Sequence, residues 1–377
     1  MPASRPSGAP SILIVGAGGI GEAVAYMLLD WADVPVGRVI LADADADRLD
    51  RARAFVGHPT RLGTIHAPVA AEPAPDLADA FAEATVVLDC LPGGLAPTVA
   101  RLALDHGCHY ANLTEYVAET NAITAMAEGA ETGFLLQTGL APGVINVLGH
   151  RLMHRFEAEF GGSVDAVAMK VGALTRHATG PHHYGFTWSP IGVATEYVKP
   201  AIVLRDGEVR EVPSLSERGR IVIDGVVYED DLTSGGAADM PEHFAGTLTR
   251  LDYKTLRYPG HYAWVDGILD ETGRDPDALQ ARMEAEIPLV EDDIVVMYAA
   301  VEGTDAQGHR RRLDRGIVVR PVATPHGRMR AIQATTAAGL AESAKALLSG
   351  RHRGVVLQMD LDPEAFLNGA FVGRVYR

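Results

Sequence analysis

Between residue 11 and about residue 140, short runs of consecutive apolar residues alternate with longer stretches of helical periodicity. "SILIV", "RVILAD", "TVVLDC", "CHYANLT" and "GFLLQT" read as strands buried on both faces, since apolar residues follow one another without polar alternation. "IGEAVAYMLLDWA", "ADRLDRARAF", "LAPTVARLALDHG" and "VAETNAITAMAEGA" read as the helices between them. Buried strands separated by helices predict a doubly wound, parallel Rossmann sheet. From about residue 163 the period becomes two. Asp206-Gly207 and Asp224-Gly225 stand between strand runs and suit the positive-φ turn of a tight hairpin. Further strands are expected at 294–303 and 310–321, so this half predicts an α+β domain with a mostly antiparallel sheet. The helix formers of Ala331–Arg351 return to the first rhythm. The expected division is therefore a dinucleotide-binding domain over 1–150, a substrate-binding and oligomerisation domain over 151–330, and a C-terminal segment, 331–377, packed back on the first. No internal repeat or low-complexity segment is evident.

The 377 residues suit two domains, and the net charge of −16 argues against a nucleic-acid or anionic-membrane partner. The one basic cluster, His309–Arg315, reads as a solvated hairpin. Two cysteines, Cys90 and Cys108, imply no disulfide framework, and Cys108 reads as a small apolar filler in a buried strand. The first ten residues lack an apolar signal region, and no apolar run reaches the ~18 residues of a membrane span. A soluble, cytoplasmic protein is expected.

The first chemical motif lies between the first strand and helix. Gly16, Gly18 and Gly21 hold the spacing G-x-G-x-x-G, with Gly19 and Ile20 inside it. The first glycine allows the turn, the second admits a pyrophosphate, and the third permits close helix–strand packing. Asp43 ends the second strand, where a carboxylate accepts ribose hydroxyls and repels a 2′-phosphate, so NAD is expected over NADP. Arg48 keeps NADP open, and Asp43 or Asp45 also suits a helix cap. The carboxyl ends of the remaining strands carry Leu91, Pro92 and Gly93, then Thr114, then Pro142, as further cofactor contacts. Pro142 suits the first turn of the helix that follows. Glu115 is a candidate catalytic carboxylate; a solvent-facing loop glutamate is the alternative.

With these residues in view, the chain resembles the saccharopine dehydrogenase-like family, most closely its lysine 6-dehydrogenase branch. The resemblance runs through "LIVGAGGIG", "GLAPGVINVLG" (Gly139–Gly149), "KPAIVLRDGEVREVPSLSE" (Lys199–Glu217), "TSGG" (Thr233–Gly236) and "YKTLRYPGH" (Tyr253–His261), in that order. It implies a Rossmann domain, a partner domain that shapes the substrate pocket through Ser234 and Gly235 among others, and a homo-oligomer (dimer or tetramer) acting on a C–N bond. Ala141, where saccharopine-forming reductases usually carry aspartate, and Asp43, where they carry a basic residue, favour the lysine 6-dehydrogenase branch. Tyr184–Tyr197 is closer to the saccharopine reductase pattern, and "NLTEY" departs from the lysine 6-dehydrogenase loop. Carboxynorspermidine-type dehydrogenases share the plan.

Oxidising an amine carbon requires a nicotinamide, a neutral amine and a proton acceptor. An amino-acid substrate adds a carboxylate, which a guanidinium recognises. Asp252–Trp264 supplies Arg257 for the carboxylate and Lys254, Tyr258 and His261 as proton-transfer candidates. On a strand, Lys254, Leu256 and Tyr258 face opposite to Tyr253, Thr255 and Arg257. Lys254 and Arg257 therefore share a pocket only if the strand ends or bulges near Arg257, as Pro259-Gly260 allows; an edge strand with solvated cations is the alternative. Trp188 is expected to close over the substrate, a core tryptophan being the alternative. Adjacent His182 and His183 diverge on a strand and lack further ligands, so no metal is expected. The expected function is NAD-dependent oxidation of the terminal amine of L-lysine. Reductive condensation of an amine with an aldehyde, and a non-catalytic NAD(H)-binding regulator, are the alternatives.

Overall fold

The computed structural model describes residues 9–114 and 117–377. They form two compact units. One comprises the described residues up to Val144 with Val322–Met329 and Gln333–Val375; the other comprises Ile145–Pro321, Arg330–Ile332 and the last two residues.

In the first unit, β1 (Ser11–Val15), β2 (Arg38–Asp43), β3 (Leu62–His66), β4 (Val86–Asp89), β5 (His109–Asn112) and β6 (Gly133–Leu135) alternate with α1 (Gly19–Asp30), α2 (Ala46–Val56), α3 (Pro75–Glu83), α4 (Ala96–Asp105) and α5 (Val117–Ala127). The seventh strand, Gly354–Val356, pairs with β6, and the sheet runs from it through β6, β5, β4, β1 and β2 to β3. Every pairing is parallel. The uninterrupted apolar runs are explained by burial: Ile12, Leu13, Ile14 and Val15 are all fully covered. Asp45 begins α2 by accepting the N–H groups of Asp47 and Arg48, and Gly57 ends it in the left-handed region. Because strand order reverses beside β1, the carboxyl ends of β1, β2 and β4 converge on one crevice. Cys108 is buried just before β5, and its thiol also donates to the carbonyls of Phe81 at 3.1 Å and Ala84 at 3.3 Å, so it is more than an apolar filler.

One boundary differs from the sequence reading. Pro142 is not in the first turn of α6 (Val144–Phe160), because Gly143 adopts φ 134° and α-helical backbone begins only after it. The Ala141–Pro142 peptide is cis.

The second unit holds an eight-stranded mixed sheet built from β7 (Ser163–Thr175), β8 (Ala201–Arg205), β9 (Glu208–Val212), β10 (Gly219–Ile223), β11 (Val226–Leu232), β12 (Arg250–Arg257), β13 (Asp293–Thr304) and β14 (Arg310–Val319). Its main order is β10, β11, β12, β7, β13, β14, with β8 and β9 joined beside β12. Only β12 and β7 run parallel; the other pairings are antiparallel. Asp206-Gly207 and Asp224-Gly225 form the β8–β9 and β10–β11 hairpin turns with all four φ angles positive. β12 is an interior strand, which removes the edge-strand alternative. The basic cluster at 309–315 opens the exposed strand β14, where Arg311 pairs with Asp305 and Arg312 with Glu302. Helices α7 (Pro190–Val198), α8 (Met240–His243), α9 (His261–Leu269) and α10 (Pro276–Glu284) complete the unit. Tyr197, Val265 and Met283 from three of them pack against Leu174, Leu256 and Val296 of the sheet.

Candidate active site

The glycine turn of the first unit is built by exclusion. A side chain at Gly21 would begin 1.9 Å from the carbonyl oxygen of Gly16, and one at Gly16 would begin 2.8 Å from that of Cys90. Gly16 also adopts φ 101°, a region that costs any other residue strain. Gly18 is different: nothing lies within 4 Å of where its side chain would begin. It stands at the N-cap of α1, and no side chain caps that helix, so its first amide groups are left for an anion. Gly19 packs against Gln333, and Ile20 opens the helix beside it.

Asp43, at the end of β2, is 6% exposed; its carboxylate accepts the N–H of Ala17 at 2.7 Å and of Asp45 at 2.9 Å. It thus braces the glycine turn, and each oxygen retains a lone pair for a ribose hydroxyl. The cap of α2 is Asp45, not Asp43. At the end of β4, the buried Asp89 accepts from the Leu91 N–H at 3.0 Å and the Tyr110 hydroxyl at 2.9 Å. Burial pushes its carboxyl up to about 7, against the pull of those two donors. Asp89 thereby fixes the turn that presents Leu91, Pro92 and Gly93, a role that sequence reasoning missed although the residue lay in view. Thr114 is buried just past β5, and Pro142 is buried ahead of α6. An open glycine turn, free helix amides and an acidic strand end together fit a dinucleotide. Glu115 lies outside the described residues.

In the second unit, Arg257 ends β12 with 1% of its surface exposed. Its Nε donates to the Tyr197 hydroxyl at 2.6 Å and its Nη1 to the carbonyl of Leu256 at 2.9 Å. The guanidinium lies 4.8 Å from the Tyr184 ring centroid and 5.4 Å from that of Tyr197. Nη2 is buried without a hydrogen-bond partner, and the buried Glu196 carboxylate, beside Tyr197 in sequence, acts on the guanidinium electrostatically. Pro259-Gly260 then turns the chain at φ 105°, and α9 begins at His261. Glu229 from β11 stands in for the missing cap by accepting the N–H groups of Gly260 and Tyr262. Residues on either side of the turn thus converge on Tyr197: His261 Nε2 lies 2.9 Å from the same hydroxyl. Tyr184 and Tyr197 were not singled out from sequence. A tyrosine on the buried face of a helix reads as core, and only its partner shows otherwise.

Three residues read as proton-transfer groups are engaged elsewhere. Lys254 is not brought to Arg257, because β12 continues unbroken to residue 257 and the two point to opposite faces. It pairs with Asp230 at 3.4 Å, and Lys170 pairs with the same residue at 2.8 Å. Together with Arg250, Asp252 and Glu302 these lysines line an open pocket of about 180 Å³. Tyr258 donates to the carbonyls of Thr175 at 3.0 Å and Arg176 at 3.1 Å, and burial pushes its hydroxyl up to about 12. His261 is fully buried, and burial together with the Arg257 guanidinium holds it well below the ordinary histidine range. Both its nitrogens are occupied, Nδ1 by the carbonyl of His182. All three side chains are hydrogen-bonded or ion-paired within the protein.

The other expected contacts differ in placement. Trp188 is half-buried against the apolar cluster and against Gly192, where a side chain would begin 2.4 Å from its ring. Ser234 and Gly235 sit beside α7: the Ser234 N–H donates to the Glu196 carbonyl at 3.1 Å, next to Tyr197. His182 meets Glu286 at 2.8 Å and Trp264 at a ring distance of 4.4 Å. Among the described residues no group of three His, Cys, Asp or Glu side chains could hold a metal ion. No helix of these residues is long and apolar enough to cross a membrane.

Residues 12–135 match the model of the saccharopine dehydrogenase NADP binding domain, and residues 139–369 that of the saccharopine dehydrogenase C-terminal domain. The mitochondrial alpha-aminoadipic semialdehyde synthase of Rattus norvegicus is 25% identical over 129 residues, which are 34% of this chain and 14% of that protein. The fold is that of the L-Glu-forming saccharopine dehydrogenase from Saccharomyces cerevisiae, with a TM-score of 0.77 at 15% identity over 98% of both chains. It is also that of a homospermidine synthase from Legionella pneumophila solved with NAD, with a TM-score of 0.70 at 13% identity over 97% of this chain and 90% of that one. With both family models matched in order across most of its length, the chain belongs to the saccharopine dehydrogenase family.

Proposed function

We propose that the chain is an NAD-dependent oxidoreductase acting on the CH–NH2 group of an amino acid, converting the terminal amine of L-lysine to a semialdehyde that cyclises, with release of ammonia. The observation that carries the amino-acid part is Arg257. A buried cation whose Nη2 has no hydrogen-bond partner, with the Glu196 carboxylate acting on it without a hydrogen bond to it, has a donor open to an anion, and a substrate carboxylate supplies one. The aromatic cage of Tyr184 and Tyr197 keeps water from that nitrogen and strengthens the pairing. Bound nicotinamide would accept the hydride from the amine carbon. Asp43 favours NAD, because its charge repels a 2′-phosphate while its oxygens accept ribose hydroxyls. The amine carbon gives its hydride to the nicotinamide, a proton is released, and water supplies the aldehyde oxygen as ammonia leaves.

Reductive condensation of an amine with an aldehyde is the second reading. The names of two proteins sharing this fold, saccharopine dehydrogenase and homospermidine synthase, favour it. Steady-state assays separate the two: lysine with NAD yields NADH under the first, whereas lysine or glutamate with a semialdehyde consumes NAD(P)H under the second. Tight NAD binding with no turnover in either direction would leave a binding regulator and overturn both.

A further inference from the structure

We propose that Tyr197 and His261 are positioning residues: they form a relay with a single hydrogen-bond direction that holds the Arg257 guanidinium and leaves Nη2 for the substrate carboxylate. The inference rests on the amino-acid reading above. Its starting point is the carbonyl of His182, which can only accept, 2.9 Å from His261 Nδ1. Nδ1 therefore carries the ring hydrogen. His261 is enclosed beside a guanidinium, which excludes a second positive charge, so Nε2 is bare and can only accept. The Tyr197 hydroxyl, 2.9 Å away, must donate to it. With its hydrogen so directed, the Tyr197 oxygen offers a lone pair to the Arg257 Nε–H at 2.6 Å. Arg257 Nη1 is held by the Leu256 carbonyl, so two of the three guanidinium nitrogens are tied and the third is open.

The opposite direction fails at both ends. A hydrogen on Nε2 would leave the Nδ1 lone pair facing the His182 carbonyl oxygen, and Tyr197 would receive hydrogens from both sides with its own orphaned. The relay is also anchored where it begins: the His182 ring is fixed by Glu286 at 2.8 Å and by Trp264. Its members come from α7, α9, the end of β12 and the loop after β7, so the direction of Arg257 depends on their joint packing.

Tyr197→Phe keeps the ring and removes only the hydroxyl; His261→Gln keeps one donor and one acceptor. Each is titrated, loaded with NADH, with lysine and with cadaverine, the diamine that lacks the carboxylate, and its turnover and melting temperature are measured. Tyr197→Phe should weaken lysine binding about ten- to a hundredfold, the loss expected for a charge-assisted hydrogen bond. Cadaverine binding and the shape of the pH profile of turnover should stay as in the wild type. His261→Gln should retain more lysine affinity than His261→Leu. A Tyr197→Phe protein that binds lysine as the wild type does, with only its melting temperature lowered, overturns the relay. So does a kcat that falls with loss of one limb of the pH profile, since the residue would then be catalytic. A wild-type protein that binds lysine and cadaverine equally overturns the amino-acid reading instead.

Discussion

Lys254 and Arg257 stand three residues apart on one strand and have opposite electrostatic surroundings. Lys254 faces a pocket lined also by Lys170, Arg250, Asp252 and Glu302, and its ammonium pairs with Asp230, which Lys170 shares. Arg257 lies in a cage of tyrosine rings, held by neutral oxygens, with one nitrogen unpaired. Both are cations in a suggestive segment, so residue type does not separate them. The balance of partners does: Lys254 has a carboxylate in ion-pair contact, whereas Nη2 of Arg257 is buried with no hydrogen-bond partner.

The contrast can be broken most sharply at Arg257. Arg257→Leu should weaken amino-acid binding about a hundredfold or more, the scale for removing one partner of a buried charged pair. Its melting temperature should stay within a few degrees, because an aromatic cage accepts an apolar side chain. Calorimetric titration and thermal melts of the same sample check both; a collapsed melt with unchanged affinity would make Arg257 structural. The distinction between open and engaged positions extends to the glycine turn. Gly18→Ala should fold as the wild type does and bind dinucleotide about tenfold or more weakly, since its side chain would enter only the space left for the cofactor. Gly21→Ala, placed against the Gly16 carbonyl, should lower the melting temperature as well.

Lys254→Met should change the lysine KM less than threefold and lower stability by about 1–2 kcal/mol, because Asp230 keeps Lys170 as its partner. A catalytic Lys254 would instead lose most of its turnover. The smallest expected effect is a pH dependence. His261 is held below its unfolded value near 6.5, so the unfolded chain binds the extra proton first. Its contribution to stability is therefore complete above about pH 6.5 and is lost as pH falls below it. His261→Gln should make the decline of denaturation midpoint below pH 6.5 shallower by one proton's worth; an unchanged slope would mean that His261 titrates normally.

The glycine turn was legible in the sequence because its parts are contiguous: steric demands at Gly16 and Gly21 act on neighbours a few residues away. The parallel sheet was legible for a similar reason, since burial on both faces writes itself as unbroken apolar runs. The Arg257 cluster was not, because its bonds join Tyr197 to Arg257 and His182 to His261 across 60 and 79 residues. Sequence supplied Lys254, Tyr258 and His261 as chemical types, but their hydrogens meet Asp230, two backbone carbonyls and the carbonyl of His182. Pro142 was placed two residues too far into α6 because the positive φ of Gly143 leaves no mark on periodicity.

Arg257 as the anchor of a substrate carboxylate is tested most directly by titrating lysine and cadaverine into NADH-loaded wild-type and Arg257→Leu protein. The wild type should bind lysine at least about tenfold more tightly than cadaverine, and the variant should lose that preference while binding cadaverine unchanged. Equal affinities in the wild type, or a preference for lysine that survives in Arg257→Leu, would contradict the account.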